Sequence, residues 1–375
     1  LEELSAKMGG LVTRQSLSKY ENDKTNPSPY VLGKLAETLN VNTSYFITEP
    51  TIRIEYIAYR KSPSLLEKDN KTLISRINKA LEDRVRVLDL TGQAKDTAIP
   101  IKQFSVAKIE DAENAAQKMR EMWKLGNAPI LNTTAMLEDN AICVMNIKAS
   151  DAFDGMCAIV YDNQDQVKTA VLVTRTEIAG ERQRLNLTHE LGHLVLNIQK
   201  GVDEEKAAFR FGTAFLAPAE KLFQEVGEKR ALIQLQELLL LKKQFGLSMQ
   251  ALIYRMHDLN IINEFYYKQW FTRINQCGWK KSEPEEWIFE TSHWMKRNAL
   301  RLIAEGMLSQ LEAERMLDEK LELDIPASVV ERRAFLKLPM EKRRQILAAQ
   351  ATNMVQFYEQ NKEWQDVEGG DFIEY

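Results

Sequence analysis

Two histidines four residues apart, with a glutamate directly after the first, constrain this chain more than any other feature. They form His189-Glu190-Leu191-Gly192-His193 within the stretch LNLTHELGHLVLNI. On an α-helix, positions i and i+4 share one face about 6 Å apart along the axis, so both imidazoles reach one tetrahedral Zn²⁺. Glu190, about 100° further round, addresses a water held by the metal instead of the metal itself, the position of a general base. Leu187, Leu191, Leu194 and Val195 give the helix a buried face, as an inward-facing metal site requires. Thr188 is the expected helix cap, with Asn186 competing. Histidine is scarce, at 4 of 375 residues, and chance would produce this pattern in roughly four chains per thousand of this length.

A catalytic zinc takes a third protein ligand and keeps its fourth position for water. Asp203, Glu204 and Glu205 follow His193 at the start of another helix-like stretch, EEKAAFRFGTAFLAP. The apolar arc of that stretch falls midway between Glu204 and Glu205, so periodicity leaves both open. His257 and His293 lie far downstream without a partner at ligand spacing, and read as surface or core histidines.

The segment from Asn127 to Pro218 resembles the ImmA/IrrE-type metallopeptidase domain. The resemblance rests on Pro129-Ile130, on an FDG-like turn at Phe153-Asp154-Gly155, on Arg182 and Arg184 ahead of His189, and on Glu205, Ala208, Phe211, Gly212, Phe215, Leu216 and Pro218. The EPEEW segment at Glu283-Pro284 also looks like that family's downstream part. Phe209 and Gly212 depart from the Asn and Ala that the family usually carries. The resemblance implies a small zincin-like α+β domain and a gluzincin-like Zn²⁺ set of His189, His193 and Glu205. It further implies an endopeptidase, active or latent, that cleaves a repressor or antitoxin with Glu190 as general base. From the residues, Thr169 to Thr174 (TAVLVT) is expected to be an edge strand onto which an extended substrate adds. Arg182 and Arg184 are candidates for holding an oxyanion or substrate carboxylate, against the alternative of a salt-bridged strand end.

The first residues read as three short helices: LEELSAKM ending at Gly9-Gly10, RQSLSKYEND capped by Thr13, and PYVLGKLAETLN capped by Ser28. Leu1, Leu4, Met8, Leu17, Tyr20, Leu32, Leu35 and Leu39 recur at helical spacing and are the expected shared core. With Leu17-Ser18-Lys19-Tyr20-Glu21 through Asn26-Pro27-Ser28, this segment resembles the XRE-type helix-turn-helix, beginning where that family's second helix would. The second helix would enter the major groove with Arg14, Gln15 and Lys19 toward base edges, and Lys24 and Asn26 near phosphates. The segment's own charge is nearly balanced, a weak electrostatic footprint for DNA. A helical protein-interaction domain is the alternative.

At 375 residues the chain is too long for one ordinary core. The expected organisation is α+β overall: 1–48 a helix-turn-helix, 49–102 a connector with a strand-like TIRIEYIAY and a polar helix, and 103–225 the peptidase-like domain. A region helical throughout follows at 226–320, and then a helical tail at 321–375 that resembles short antitoxin-like segments. Three cysteines without a CxxC pair, no long apolar run and no signal-like start point to the cytoplasm and to no membrane. The expected partners are operator DNA, a protein substrate and a second copy of the chain, as helix-turn-helix readers commonly dimerise. The competing function is a non-catalytic DNA-binding repressor and partner scaffold of toxin-antitoxin type, with a structural or vestigial zinc site.

Overall fold

The apolar runs at Ala141 to Met145, Met156 to Val160 and Thr169 to Val173 become three strands of a four-stranded sheet in the computed structural model of this chain. The structure describes residues 1–22, 24–39, 43–46, 52–61, 67–93, 99–149, 153–280, 282–323, 335–336 and 338–360. The strands are β1 (Ile52–Lys61), β3 (Ile142–Ile147), β4 (Phe153–Asp162) and β5 (Val167–Arg175), and β2 (Phe104–Val106) lies outside this sheet. Their order is β1-β4-β5-β3, with β3 parallel to β5 and the other pairs antiparallel. Apolar runs without alternation mean that both faces are covered, and both are. Ile142, Val144, Cys157, Ile159, Ala170 and Leu172 join the main core on one side. Cys143, Met156, Ala158, Val160, Val171 and Val173 pack on the other against helix α4 (Glu67–Thr91), through Leu73, Ile77, Leu81 and Val85.

Residues 52–91, read from the sequence as a connector, therefore supply a strand and a covering helix to this sheet. The apolar positions of α4 hide one layer within a largely polar sequence, and composition masks them. TAVLVT does not form an edge. It lies inside β5, whose two sides are hydrogen-bonded to β4 and β3. An inner strand has no free backbone groups for a substrate, and among the described strands this sheet ends at β1 and β3.

The second face of the sheet is covered by α5 (Asp111–Met122), α6 (Thr133–Asp139), α7 (Gly180–Val195) and α8 (Glu204–Leu216). A short strand β6 (Leu196–Ile198) follows α7 and pairs parallel with β2. Helices α9 (Ala219–Val226), α10 (Leu235–Phe245) and α11 (Met249–Asp258) continue, the last two joined at Gly246, which adopts the left-handed conformation at φ 60°. Ser248 caps α11 by accepting the Ala251 N–H at 3.1 Å. Beyond α12 (Glu264–Gln276) the chain is not helical throughout. Residues 282–293 run as an irregular strap before α13 (Trp294–Ala304) and α14 (Gln310–Leu317). Ser309 caps α14.

The first residues form α1 (Glu2–Lys7), α2 (Arg14–Glu21) and α3 (Pro29–Leu39). Thr13 and Ser28 accept the N–H groups of Ser16 and Val31 as caps. Val12, Leu17 and Leu35 are the buried centre, with Leu4, Met8, Tyr20 and Val31 against them. Leu1, which precedes α1 as its N-cap, and Leu39, the last residue of α3, were expected in that core and are exposed.

The chain divides into two units, Leu1–Leu317 and Asp318–Tyr375. In the second, a helix runs over Met340–Gln360. Residues 324–334, 337 and 361–375 of the tail, whose resemblance to antitoxin-like segments is a reading of sequence, lie outside the described residues.

Candidate metal centre

Helix α7 starts eight residues before Thr188, so neither Thr188 nor Asn186 caps it. The Thr188 hydroxyl instead donates back to the Arg184 carbonyl at 3.1 Å, inside the helix. The true start is Gly180, whose N–H donates to the Trp287 carbonyl at 3.1 Å. A Cβ there would meet the Ile288 and Trp287 carbonyl oxygens at 2.4 and 2.5 Å, so only glycine fits. The strap continues along the helix: Trp287 N–H donates to Glu181 at 2.9 Å, and Glu290 N–H to Gln183 at 2.8 Å. The EPEEW segment is thus the clamp on the first turn of α7.

Two glycines draw α7 and α8 together. A Cβ on Gly192 would stand 3.1 Å from the Ala208 Cα, and one on Gly212 would stand 3.1 Å from the His189 nitrogen. Gly212, the departure from the family's usual alanine, marks this close approach. Asp203 caps α8 by accepting the Lys206 N–H, which sets Glu205 in the first turn, facing α7. Glu204 stays exposed on the same turn.

The outcome is a cluster of three ligand atoms. The His189 and His193 Nε2 atoms lie 3.0 Å apart, and the Glu205 carboxylate oxygens lie 3.3 Å from each. Tetrahedral zinc with bonds near 2.0–2.1 Å places its ligand atoms about 3.3 Å apart, so this donor set fits the ion. Among the described residues these three form the potential metal-binding group. Both histidines are 5% exposed, whereas the Glu205 side chain is 57% exposed, so the centre opens on the α8 side. The opening is a cavity of about 440 Å³, bordered by Leu185, Asn186, His189, Glu205, Phe209 and Tyr254.

Glu190 is fully buried, and β4 begins directly against it. A Cβ on Gly155 would fall 2.7 Å from its Oε1. The Phe153-Asp154-Gly155 motif opens strand β4, and its glycine makes room for the Glu190 carboxylate. Sequence reasoning singled out the motif but not that role. Lys102, unremarked in the sequence, donates from Nζ to the His193 carbonyl at 2.9 Å, where α7 ends.

The two arginines part ways. Arg182 is exposed and lines a second, larger cavity beside the first. Arg184 is fully buried and committed to the fold: it pairs with Glu290 at 2.5 Å and donates to the Ile130 and Gly246 carbonyls at 2.7 and 3.2 Å. Burial lowers its pKa, and Glu290 opposes that shift. Arg184 therefore binds Glu290 and carbonyls of neighbouring elements in place of an oxyanion or substrate carboxylate. His257 pairs with Glu264 at 2.8 Å and lies outside the His189, His193 and Glu205 cluster.

Arg14, Gln15 and Lys19 are exposed on α2, and Lys24 and Asn26 are exposed after it. Arg14 is bridged to Glu2 at 2.7 Å, an exposed pair that solvent screens.

Residues 1–46 match the model of the helix-turn-helix family, and residues 155–257 match that of the IrrE N-terminal-like domain. The chain thus joins an XRE-type helix-turn-helix to an ImmA/IrrE-like domain of a metallopeptidase-type family, the fusion that its motifs imply. No curated protein matches it. Among the described residues no helix is long and apolar enough to cross a membrane.

Proposed function

We propose that this chain is a cytoplasmic transcriptional regulator whose zinc centre hydrolyses a peptide bond in a partner repressor or antitoxin. The observation that carries the reading is the convergence of His189, His193 and Glu205 at tetrahedral spacing beside a buried Glu190. A zinc ion held by His189, His193 and Glu205 would supply Lewis acidity and lower the pKa of water toward about 7. Glu190 takes the proton of the attacking water and passes it to the leaving amine nitrogen. Gly155 and the buried 187–195 stretch of α7 that carries Glu190 fix that carboxylate in one place, so little reorganisation accompanies proton transfer. The exposure of Glu205 beside the 440 Å³ cavity leaves one side of the centre open to a peptide.

The helix-turn-helix match supports DNA binding. Helix α2 is held at its N-terminus by the Thr13 cap and presents Arg14, Gln15 and Lys19 to the major groove, with Lys24 and Asn26 toward phosphates. Binding as a homodimer on a palindromic operator follows the usual logic of that motif.

The test is co-incubation with proteins encoded beside this chain, with and without a chelator, followed by mass spectrometry. Discrete fragments of one partner that vanish with chelator support the reading. Intact partners throughout, held in a stable complex, would instead establish the scaffold reading with a non-catalytic zinc site.

A further inference from the structure

The opening beside the metal centre does not end at its own walls. Leu185, Phe209 and Tyr254 border both the 440 Å³ opening and an adjoining cavity of about 930 Å³. An aromatic ladder runs from one into the other. Phe209 meets Tyr254 edge-on at 5.1 Å, Tyr254 meets Tyr267 at 6.4 Å, and Tyr267 meets Phe271 at 4.7 Å. Trp279 and Trp287 also line the larger cavity. Burial raises the pKa of both Tyr254 and Tyr267, so the ladder stays uncharged. The two acids that lie deepest there, Glu181 and Glu283, are both paired with Lys242.

We propose that the larger cavity is a specificity subsite that accepts a bulky apolar side chain, aromatic or long aliphatic, next to the scissile bond of an extended peptide. The inference deepens the peptidase reading and rests on it for the word scissile, but not for binding. The argument is continuity and chemistry. A peptide whose reacting carbonyl lies at His189 and Glu205 has its neighbouring side chain within reach of the Phe209–Tyr254 step. An aromatic wall rewards apolar area and ring stacking. A side chain of alanine size leaves most of that wall in water, whereas a phenylalanine or leucine covers it.

The test has two arms, each using the full chain. In the first, wild-type protein loaded with zinc digests a set of twelve-residue peptides in which one phenylalanine is moved stepwise through an otherwise alanine, serine and glycine sequence. Cuts are mapped by mass spectrometry. Cleavage is expected at one fixed offset from the phenylalanine, at least ~10-fold faster than in the all-small peptide. In the second arm, Glu190→Gln protein binds the same peptides, labelled with a fluorophore, without cutting them. The phenylalanine peptides are expected to bind at least ~10-fold more tightly than the all-small one. Phe271→Ala is expected to erase the preference in both arms. Gln250→Arg, which adds a cation to the same wall, is expected to move it toward peptides carrying glutamate, a readout that mere loss of folding does not give.

Cleavage or binding indifferent to the phenylalanine, or a preference that survives both Phe271→Ala and Gln250→Arg, overturns the proposal. Selective binding by Glu190→Gln protein without any cleavage by wild type keeps the subsite and overturns the peptidase reading. Cleavage without selectivity does the reverse.

Discussion

The fate of Arg184 separates a positioning role from a chemical one, and it is measurable. Its guanidinium is fully buried, its partner Glu290 is 5% exposed on the side chain, and the two meet at 2.5 Å. Solvent screening therefore gives no discount. Arg184→Leu leaves the Glu290 carboxylate buried with, among the described residues, the Thr134 N–H, which donates to it at 2.7 Å. Glu290→Leu leaves the guanidinium with carbonyl acceptors and the Trp287 ring, 4.9 Å away, but no counter-charge. Each single change is expected to cost about 3–5 kcal/mol, the range for breaking one half of a buried pair. Replacing both removes the stranded charge, so the double variant should be destabilised by less than the two singles summed, with a coupling of about 2 kcal/mol or more. Urea unfolding followed by tryptophan fluorescence reads this directly, with the midpoint moving at constant slope. Because Arg184 lies in α7 five residues before His189, zinc affinity should fall along with stability in the singles and recover in part in the double. Single variants that lose less than about 1 kcal/mol, or strict additivity, would refute the structural role. A variant as stable as wild type that still binds zinc but no longer cleaves would return Arg184 to the chemistry.

Gly155→Ala pushes a methyl group to 2.7 Å from the Glu190 carboxylate, and a displacement of that kind is expected to lower turnover by about 100-fold. Zinc content should be unchanged, so a variant with full activity, or one without metal, counts against the placement of Glu190. The acid limb of stability has an identifiable contributor in Glu113. Burial works against its charge, yet Arg255 and Arg210 together hold its carboxyl below the ordinary range. Its stabilisation is complete above the unfolded-state pKa of about 4.3 and is lost as pH falls through the lower folded value. Glu113→Gln should flatten stability against pH in that window, and a curve parallel to wild type would contradict it. On the DNA side, Arg14→Ala should weaken binding to the cognate operator by roughly 10-fold or more, with a loss of base discrimination. An unchanged footprint would remove α2 from the reading.

The candidate metal-binding cluster was legible because its logic is local. An i, i+4 pair on an apolar-faced helix specifies its own geometry, and His189 and His193 stand as that spacing requires. The helical wheel alone left Glu204 and Glu205 open. The close α7–α8 approach through Gly192 and Gly212 turns Glu205 toward the histidines. The caps at Thr13 and Ser28 were legible for the same reason. What escaped is set by long-range pairing. TAVLVT reads equally well as an inner or an edge strand, and only the partners of β5 decide it. The polar surface of α4 disguised Ile77 and Leu81, both fully buried. Gly180 and the 282–293 strap carry no periodicity at all, and their role depends on meeting across about a hundred residues of sequence.

The central claim is that His189, His193 and Glu205 hold a zinc ion with which Glu190 does hydrolytic work. The most direct measurement determines zinc per chain and partner fragments in the same samples of wild type, Glu205→Ala and Glu190→Gln. The account predicts one zinc and cleavage in wild type, neither in Glu205→Ala, and one zinc without cleavage in Glu190→Gln. Cleavage that persists in Glu190→Gln, or a wild type that cleaves without metal, would contradict it.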